Sequence, residues 1–319
     1  MDLSGMTLTG GFTFVQPPPA QATAGWYGTG NPGSDRLERQ LFANDTATAS
    51  YRATLTVSTN RAAGTFTFDY GWIGGGVGGT YTAVQRITFA SDTSASSVRG
   101  PLNIGLYALT ATGNTTAGWF AGGALGAPTY ATTSNVQRIT YATDTTTASS
   151  RGPLSSVRYN SAATGTATDG WIIGGYGGSP LGILAQIDRI TYANDNTTTS
   201  VRGNLGTGYD SLSACSDATT YAWAAGGSPG YSSMVQRITY ATDTASTTTR
   251  GPLSLGRQRL SSATQNATNG WFAGGSISGV AKTSIIDRIT FATDTATASV
   301  RGPLSGGAGY CIVGLAGVA

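Results

Sequence analysis

The chain has no histidine, one lysine and two cysteines among 319 residues, and only 10% of its residues are charged. Without imidazole there is no general base that titrates near neutrality, no serine–histidine triad and no nitrogen-ligated metal site of the usual kind. Cys215 and Cys311 fit no metal-ligand spacing. Both precede a Trp motif or its C-terminal equivalent, where other repeats are read as carrying Ala or Gly, so they are expected to be small buried thiols rather than a disulfide. No apolar run is long enough to span a bilayer, which argues against membrane insertion, and Met1-Asp2-Leu3-Ser4 lacks the basic and apolar regions of an export signal.

The formal charge of +3 does not mark a nucleic-acid binder, because of where the cations fall. Twelve of the 17 arginines occupy two columns, 39, 86, 138, 189, 237, 288 and 52, 99, 151, 202, 250, 301. A phosphate-binding surface needs clustered, solvent-facing cations, whereas these are spaced evenly along the chain. No nucleic-acid partner is expected.

What is abundant is small: 47 Gly, with Thr, Ala and Ser dominating the rest. Such a composition is often disordered, but 39% hydrophobic residues and evenly spaced Trp and Ile positions indicate a folded, Thr-rich β protein. In five units an aromatic residue before a Gly-Gly doublet leads to an Arg-Ile-Thr-aromatic-Ala segment and an Asp, four of them with an Arg-Gly-Pro-Leu corner, and a looser sixth copy around Trp26 keeps Arg39, Phe42-Ala43, Asp45 and Arg52. Trp119-Phe120-Ala121-Gly122-Gly123 and Trp171-Ile172-Ile173-Gly174-Gly175 are the clearest copies. The period, read from Arg39, Arg86, Arg138, Arg189, Arg237 and Arg288, is 47 to 52 residues. A period in that range marks an array of small sheets or a solenoid.

Within residues 158–205 the pattern gives four short strands. Asn160–Thr164 is small and β-compatible, and Gly170–Gly175 is apolar enough for burial on both faces. Ile187–Ala193 alternates with period two, and Thr197–Arg202 follows the Asn194-Asp195-Asn196 turn. Four antiparallel strands repeated six times, with no helix period, describe an all-β, six-bladed propeller. The expected units are 24–63, 64–111, 112–163, 164–215, 216–263 and 264–308. Residues 309–319 are expected to supply the missing first strand of the blade containing Trp26, closing the ring. Residues 1–23 are left as an N-terminal arm or extra strand, with Pro17-Pro18-Pro19 as a stiff spacer; its functional reading is docking on a partner protein by strand addition.

Asp45, Asp92, Asp144, Asp195, Asp243 and Asp294 lie six residues after the first arginine column. Each is expected to pair with an arginine or cap its turn, within a blade or across its boundary, as the structural network of the repeat. If such a pair is buried, truncating Asp144 is expected to cost roughly 3–5 kcal/mol.

On these residues the unit resembles a Kelch repeat. Trp119 to Gly122 and Trp171 to Gly174 match its strand ending in Gly-Gly. Tyr141 with Asp144, Tyr192 with Asp195 and Tyr240 with Asp243 match its third strand and turn, and Arg158 and Arg257 its later Arg. The Trp that the family places six residues after the Asp is replaced here by Tyr51, Val98, Ser150, Val201, Thr249 and Val300, so the outer strand is expected to pack differently. The Arg-Ile-Thr-Tyr-Ala-x-Asp-Thr and Ser-x-Arg-Gly-Pro-Leu phrasing is also similar to repeats in structural proteins of tailed bacteriophages, cyanophages in particular. That resemblance implies a virion location and other virion proteins as partners, but no cofactor.

Residues common to all units serve the architecture, so function is sought where units differ. The loops Gly76–Gln85, Ala124–Gln137, Tyr176–Asp188, Ser228–Gln236 and Ser276–Asp287 vary and are expected on one face, displaying Tyr81, Tyr130, Tyr176, Leu181, Tyr231 and Lys282. The expectation is a non-enzymatic structural or attachment protein (tail fibre, neck fibre or capsid decoration) binding protein or host glycan through that face. The alternative is a glycan hydrolase or lyase in the central funnel. That reading needs paired acids, and Asp35, Glu38, Asp69, Asp210 and Asp217 are scattered in the sequence.

Overall fold

The computed structural model describes residues 22–29, 35–77, 81–260, 263–278, 281–306 and 311–318, so residues 1–21 of the expected arm lie outside it. Six four-stranded antiparallel sheets form a propeller. Blade 2 is typical: Ala63–Phe66, Tyr70–Gly74, Val84–Thr88 and Ser97–Val98 pair in sequence order from the axis outward. Blade 1 departs from this order, because its inner strand is Cys311–Gly317, paired with Ala24–Thr29 so that Trp26 faces Leu315 and Tyr27 faces Gly314. The ring is thus closed by the C-terminal strand. Among the described residues no helix is long and apolar enough to cross a membrane.

The third strands end earlier than their alternation implies. In blade 4 the strand stops at Thr191, and Tyr192–Asn194 forms a 3-10 turn that delivers Asp195. All six blades share this turn, from Phe42–Asn44 in blade 1 to Phe291–Thr293 in blade 6. The Gly-Gly doublet has a backbone reason: Gly122 and Gly123 have φ of +65° and +97°, values that L side chains seldom adopt. The corner glycine has a steric one. A Cβ on Gly152 would lie 2.0 Å from the Thr197 carbonyl oxygen of the next blade.

The turn and corner meet at a latch repeated at every blade boundary. Trp72 of blade 2 stacks on Tyr141 of blade 3 at 3.9 Å between ring centroids and donates its indole N–H to Asp144 at 2.9 Å. The same carboxylate accepts from Arg86 at 3.1 Å and lies 3.6 Å from Arg99, both of blade 2. The Gly100 N–H donates to the Asp144 carbonyl at 2.8 Å. The carboxylates of Asp92, Asp195, Asp243, Asp294 and Asp45 repeat this with Trp26, Trp119, Trp171, Trp223 and Trp271, so the last latch joins blade 6 to blade 1. Arg39, Arg138, Arg189, Arg237 and Arg288 supply the matching third-strand pairs. Every one of these bonds crosses a blade boundary, which resolves the choice left open by the spacing.

The aspartates are 3–7% exposed in their side chains and the latch arginines 16–29%. Water therefore shares the guanidinium charge, and the full cost of a desolvated pair does not apply. Asp144→Ala removes the acceptor of a buried indole and the counter-charge of two partly hydrated arginines. It is expected to lower stability by about 2–3 kcal/mol in urea unfolding, below the range set by burial alone; an unchanged midpoint would show that the latch carries no energy.

A second contact sits inside four of the latches. Where the stacked aromatic is Tyr141 or Tyr192, its hydroxyl meets Thr65 or Thr112 of the preceding inner strand at 2.7 Å. Where it is Phe89 or Phe291, the corresponding residue is Leu315 or Cys215, paired with the Trp in the same register. Cys215 is buried and free, as expected of a small thiol, but it occupies a threonine column rather than an Ala or Gly one. The side chain of Cys311 lies outside the described residues.

Burial pushes the hydroxyls of Tyr141, Tyr192 and Tyr240 above the usual tyrosine range, with their threonine or serine partners pulling the other way. A raised value in the fold means that the tyrosine contribution to stability is present below about pH 10 and is lost above it, as the unfolded chain ionises first. Ultraviolet titration of the folded protein is expected to leave these three of the 15 tyrosines protonated until the chain unfolds. Ionisation of every tyrosine before unfolding would contradict it.

The residue before each first-column arginine ties the blade to the linker entering it. Gln85 and Gln137 exchange hydrogen bonds with the backbone of Val57 and Ile104. Glu38 accepts the N–H groups of Ser305 and Gly306, at 2.6 and 2.8 Å. In blades 4 and 6 the residue is Asp188 or Asp287, and each gains a fully buried arginine, Arg158 at 3.1 Å or Arg257 at 2.8 Å. These two arginines, matched above to a repeat position, are the counter-ions of buried aspartates.

Candidate functional site

Strand order divides the loops between two faces. The turns joining inner to second strands and the 3-10 turns share one face. The second-to-third loops and the blade linkers share the other. The first face repeats from blade to blade, and the second does not.

All six predicted face residues lie on that second face, but it does not gather them into one site. Tyr130 is 61% exposed and Leu181 49%, on the loops of blades 3 and 4, with Ile183 beside Leu181 in sequence at 38%. Tyr231 is half-buried with φ of +53°. Lys282 pairs through its backbone with Ser276 in a two-stranded extension of blade 6. Tyr81 and Tyr176 instead lean inward: Tyr81 lies 6.2 Å from Tyr107, and Tyr176 meets Tyr159 edge-on at 5.5 Å.

Those inner partners belong to an axial ring that the sequence pattern did not single out. Just before the inner strands, Arg61, Ala108, Asn160, Ser211 and Arg259 share a left-handed conformation, with φ between 54° and 56°. Each N–H in turn donates to the preceding carbonyl at 2.8 Å, from Ala108 to Arg61, Asn160 to Ala108, Ser211 to Asn160 and Arg259 to Ser211. The residues one position earlier are Asn60, Tyr107, Tyr159, Asp210 and Gln258. Four of these bridge to the variable loops, Asn60 to Val77, Tyr159 to Tyr176, Asp210 to Ser228 and Gln258 to Ser276, and Tyr107 pairs with Ala124. Aligning the repeats on the Pro-Leu corner would have exposed these columns, because identical backbone carries unlike side chains there.

The ring is electrostatically mixed. Arg61 and Arg259 are exposed, and the Arg61 guanidinium sits 5.8 Å from the Tyr107 ring centroid. Burial raises the Asp210 carboxyl above its usual value, while hydrogen bonds from Asn160, Ser211 and Ser228 and the charge of Arg259 oppose the rise. Burial likewise raises Tyr159, helped by Tyr176, Asp210 and Tyr107 and opposed by Arg61.

The inner strands line a central cavity of about 970 Å³, a figure that includes the open solvent at its mouth. Its wall carries Gly64, Ala111, Ala163, Ala214, Ala263 and Gly314, one per blade, and Phe66, Phe68, Thr112 and Gln265 among others. No Asp, Glu, Lys or Arg lines it among the described residues. The five acids considered for catalysis are not brought together. Asp69 and Asp217 occupy inner-to-second turns on the repetitive face, Asp35 precedes the third strand of blade 1, Asp210 lies in the linker from blade 4 to blade 5, and Glu38 is buried and bonded. No group of three or more Cys, Asp or Glu is placed to hold a metal ion among the described residues.

No protein-family model matches the chain, and no curated protein matches it in sequence. Among solved structures it is similar to that of YjhT, a β-propeller, with 12% identity and a TM-score of 0.69 over 89% of this chain and 98% of that one. At that identity the likeness speaks for the fold alone.

Proposed function

From a propeller whose joints repeat and whose loop face does not, we propose a non-enzymatic structural or attachment module of a tailed-bacteriophage virion. It presents the loop face to a protein or host glycan. The observation that carries the reading is the contrast between faces. The latch of Trp, Asp and two Arg is the same at six boundaries, while the face holding Tyr130, Leu181, Arg61 and Arg259 differs in every blade. Variable side chains on a rigid ring are the usual form of a recognition surface.

Thr23 bonds Gly317, and Val318 bonds Phe68, which lies in an inner-to-second turn. Both described ends therefore leave on the face opposite the loops, an orientation that suits mounting by an end with the loops outward. Docking of the N-terminal arm on another virion protein belongs to the same reading.

Mass spectrometry and immunogold labelling of purified particles test it: the chain is expected on the particle exterior, and its absence would overturn the virion assignment. Tyr130→Ala combined with Leu181→Ser is expected to weaken binding to host cells or to its virion partner without shifting the melting temperature. Release of reducing or unsaturated ends from host polysaccharide by the purified chain would replace this reading with the hydrolase or lyase one.

A further inference from the structure

One position of the axial ring carries a charge that the architecture does not require. Asn60, Tyr107, Tyr159, Asp210 and Gln258 occupy the same backbone position in the described linkers, and four of these five are neutral. A carboxylate is therefore not needed to join a linker to its loop. Asp210 is nonetheless half-buried, and burial raises its carboxyl, so keeping it charged there costs free energy. A carboxylate retained against that cost among variable loops marks a ligand contact better than a joint.

Contacts fix its surroundings. Asp210 accepts from the Asn160, Ser211 and Ser228 side chains, with Ser211 Oγ at 3.2 Å. The Ser211 N–H donates to the Asn160 carbonyl at 2.8 Å. Tyr159 precedes Asn160, meets Tyr176 edge-on at 5.5 Å and exchanges backbone hydrogen bonds with it at 2.8 and 3.0 Å. Tyr107 stands next around the ring, because the Asn160 N–H donates to the Ala108 carbonyl at 2.8 Å. Tyr107, Tyr159, Asn160, Tyr176, Asp210 and Ser228 are all partly exposed, so they form one accessible strip over blades 3 to 5.

The chemistry of the strip selects among ligands. A carboxylate, phosphate or sulfate group meets the Asp210 carboxylate, and all three are repelled alike. An ammonium group finds Tyr107 already faced by Arg61, whose guanidinium lies 5.8 Å from the ring centroid, and finds the Asp210 charge offset by Arg259. A purely apolar side chain would cover the carboxylate and the Asn160 amide without bonding either. A neutral sugar meets every demand. Its hydroxyls donate to a carboxylate and accept from an amide, and its C–H face suits a tyrosine ring.

We propose that this strip is a subsite for an uncharged sugar, a neutral hexose residue of a host glycan. Asp210 accepts from one sugar hydroxyl, the Asn160 amide and the Ser228 hydroxyl bond the adjacent one, and Tyr107 and Tyr159 cover the C–H face. The proposal rests on the reading of the loop face as a binding surface and names the ligand class at one place on it.

A glycan array of neutral gluco-, galacto- and manno-oligosaccharides beside their uronate and sulfated counterparts, probed with the full chain, tests it, and calorimetry measures each hit. At least one neutral oligosaccharide is expected to bind, about tenfold or more tightly than its uronate counterpart. Asp210→Asn keeps the shape of the side chain and removes its charge. It is expected to weaken the neutral sugar about tenfold at an unchanged melting temperature, and to cut the preference over the uronate to about threefold or less. A structural role alone would leave that preference where it was. Absence of any neutral hit, equal or tighter binding of the uronate or sulfated form, or an Asp210→Asn chain with the parent's affinity and preference would each overturn the subsite. Host binding lost on protease treatment of the cells, with an empty array, would assign the face to a protein partner instead. Failure of this subsite is separable from failure of the face. If Asp210→Asn keeps host-cell binding while Tyr130→Ala with Leu181→Ser loses it, the face stands and the sugar subsite falls. If neither changes host-cell binding, the face reading falls with it.

Discussion

Deletion of residues 311–319 is expected to abolish the cooperative unfolding of the whole ring rather than fray one end. The strand contributes Val313 and Leu315, both fully buried, and Ala316, which is 2% exposed. Burying each of the two larger side chains stabilises by about 1.5–3 kcal/mol. Their loss also opens voids, because Gly64 and Gly71 in blade 2 have no side chain and Val313 and Leu315 occupy that space: a Cβ on Gly64 would lie 2.1 Å from Val313 Cγ2. Trp26 would lose Leu315 opposite it while still bearing the latch to Asp92. Cavity terms and a newly exposed strand edge bring the total to roughly 5–10 kcal/mol, comparable with the whole stability of a typical domain. Melting followed by circular dichroism decides the matter. A truncated chain with the parent transition would show that the last strand is a dispensable cover. Leu315→Ala alone is expected to cost about 2–5 kcal/mol.

The second large effect concerns the ion pair of blade 4. Arg158 and Asp188 are both 0% exposed, 3.1 Å apart. Arg158 also donates to the Gly174 and Gln186 carbonyls, and Asp188 accepts from Ser155 and Thr199. Burial pushes the Arg158 guanidinium below its ordinary value, and Asp188 opposes that shift. Arg158→Leu leaves a buried carboxylate without a counter-charge and is expected to cost about 3–5 kcal/mol. The neighbouring blade supplies the rescue. At the same two places blade 3 has Leu106 and Gln137, 0% and 1% exposed, with the glutamine satisfied by the Ile104 backbone. Adding Asp188→Gln to Arg158→Leu is therefore expected to recover most of the loss. A double variant as unstable as the single one in urea unfolding would show that the pair is held by contacts other than charge.

The scaffold was legible in the sequence because it repeats. The spacing of Trp119, Arg138, Asp144 and Arg151, seen again around Trp171, fixed strand count, turn position and blade number. The unpaired segment near Cys311 indicated how the ring closes. The partners within the latch were not legible. Trp72 and Asp144 are 72 residues apart, and the spacing of one unit does not say whether an Asp reaches its own blade or the previous one. The exchange of Tyr141 with Thr65 for Phe291 with Cys215 was hidden for the same reason, since each pair straddles two units.

The candidate site was legible only as a face. Tyr81, Tyr130, Tyr176, Leu181, Tyr231 and Lys282 were found by loop variability, and they do lie on the variable side. The axial ring escaped because its columns look like ordinary linker. Arg61, Asn160 and Ser211 share no chemistry, and their identical left-handed backbone exists only in three dimensions. Exposure also settled the condition left open for the network: the latch arginines are partly hydrated, and the arginines that are fully buried are Arg158 and Arg257, outside the repeated columns.

The seam in blade 1 has a mechanical side. Ala24 is paired with Gly317, so the two described ends leave the ring side by side at one end of an antiparallel strand pair. A force pulling those ends apart opens the pair one bond at a time, the weak direction for a sheet, instead of shearing all its bonds together. A force applied through one end and resisted at the loop face does not load that seam in the same way. On the proposed attachment reading, tension between a mount and a bound surface is carried across the width of the blades, and the ring holds best when only one of those described ends is tethered.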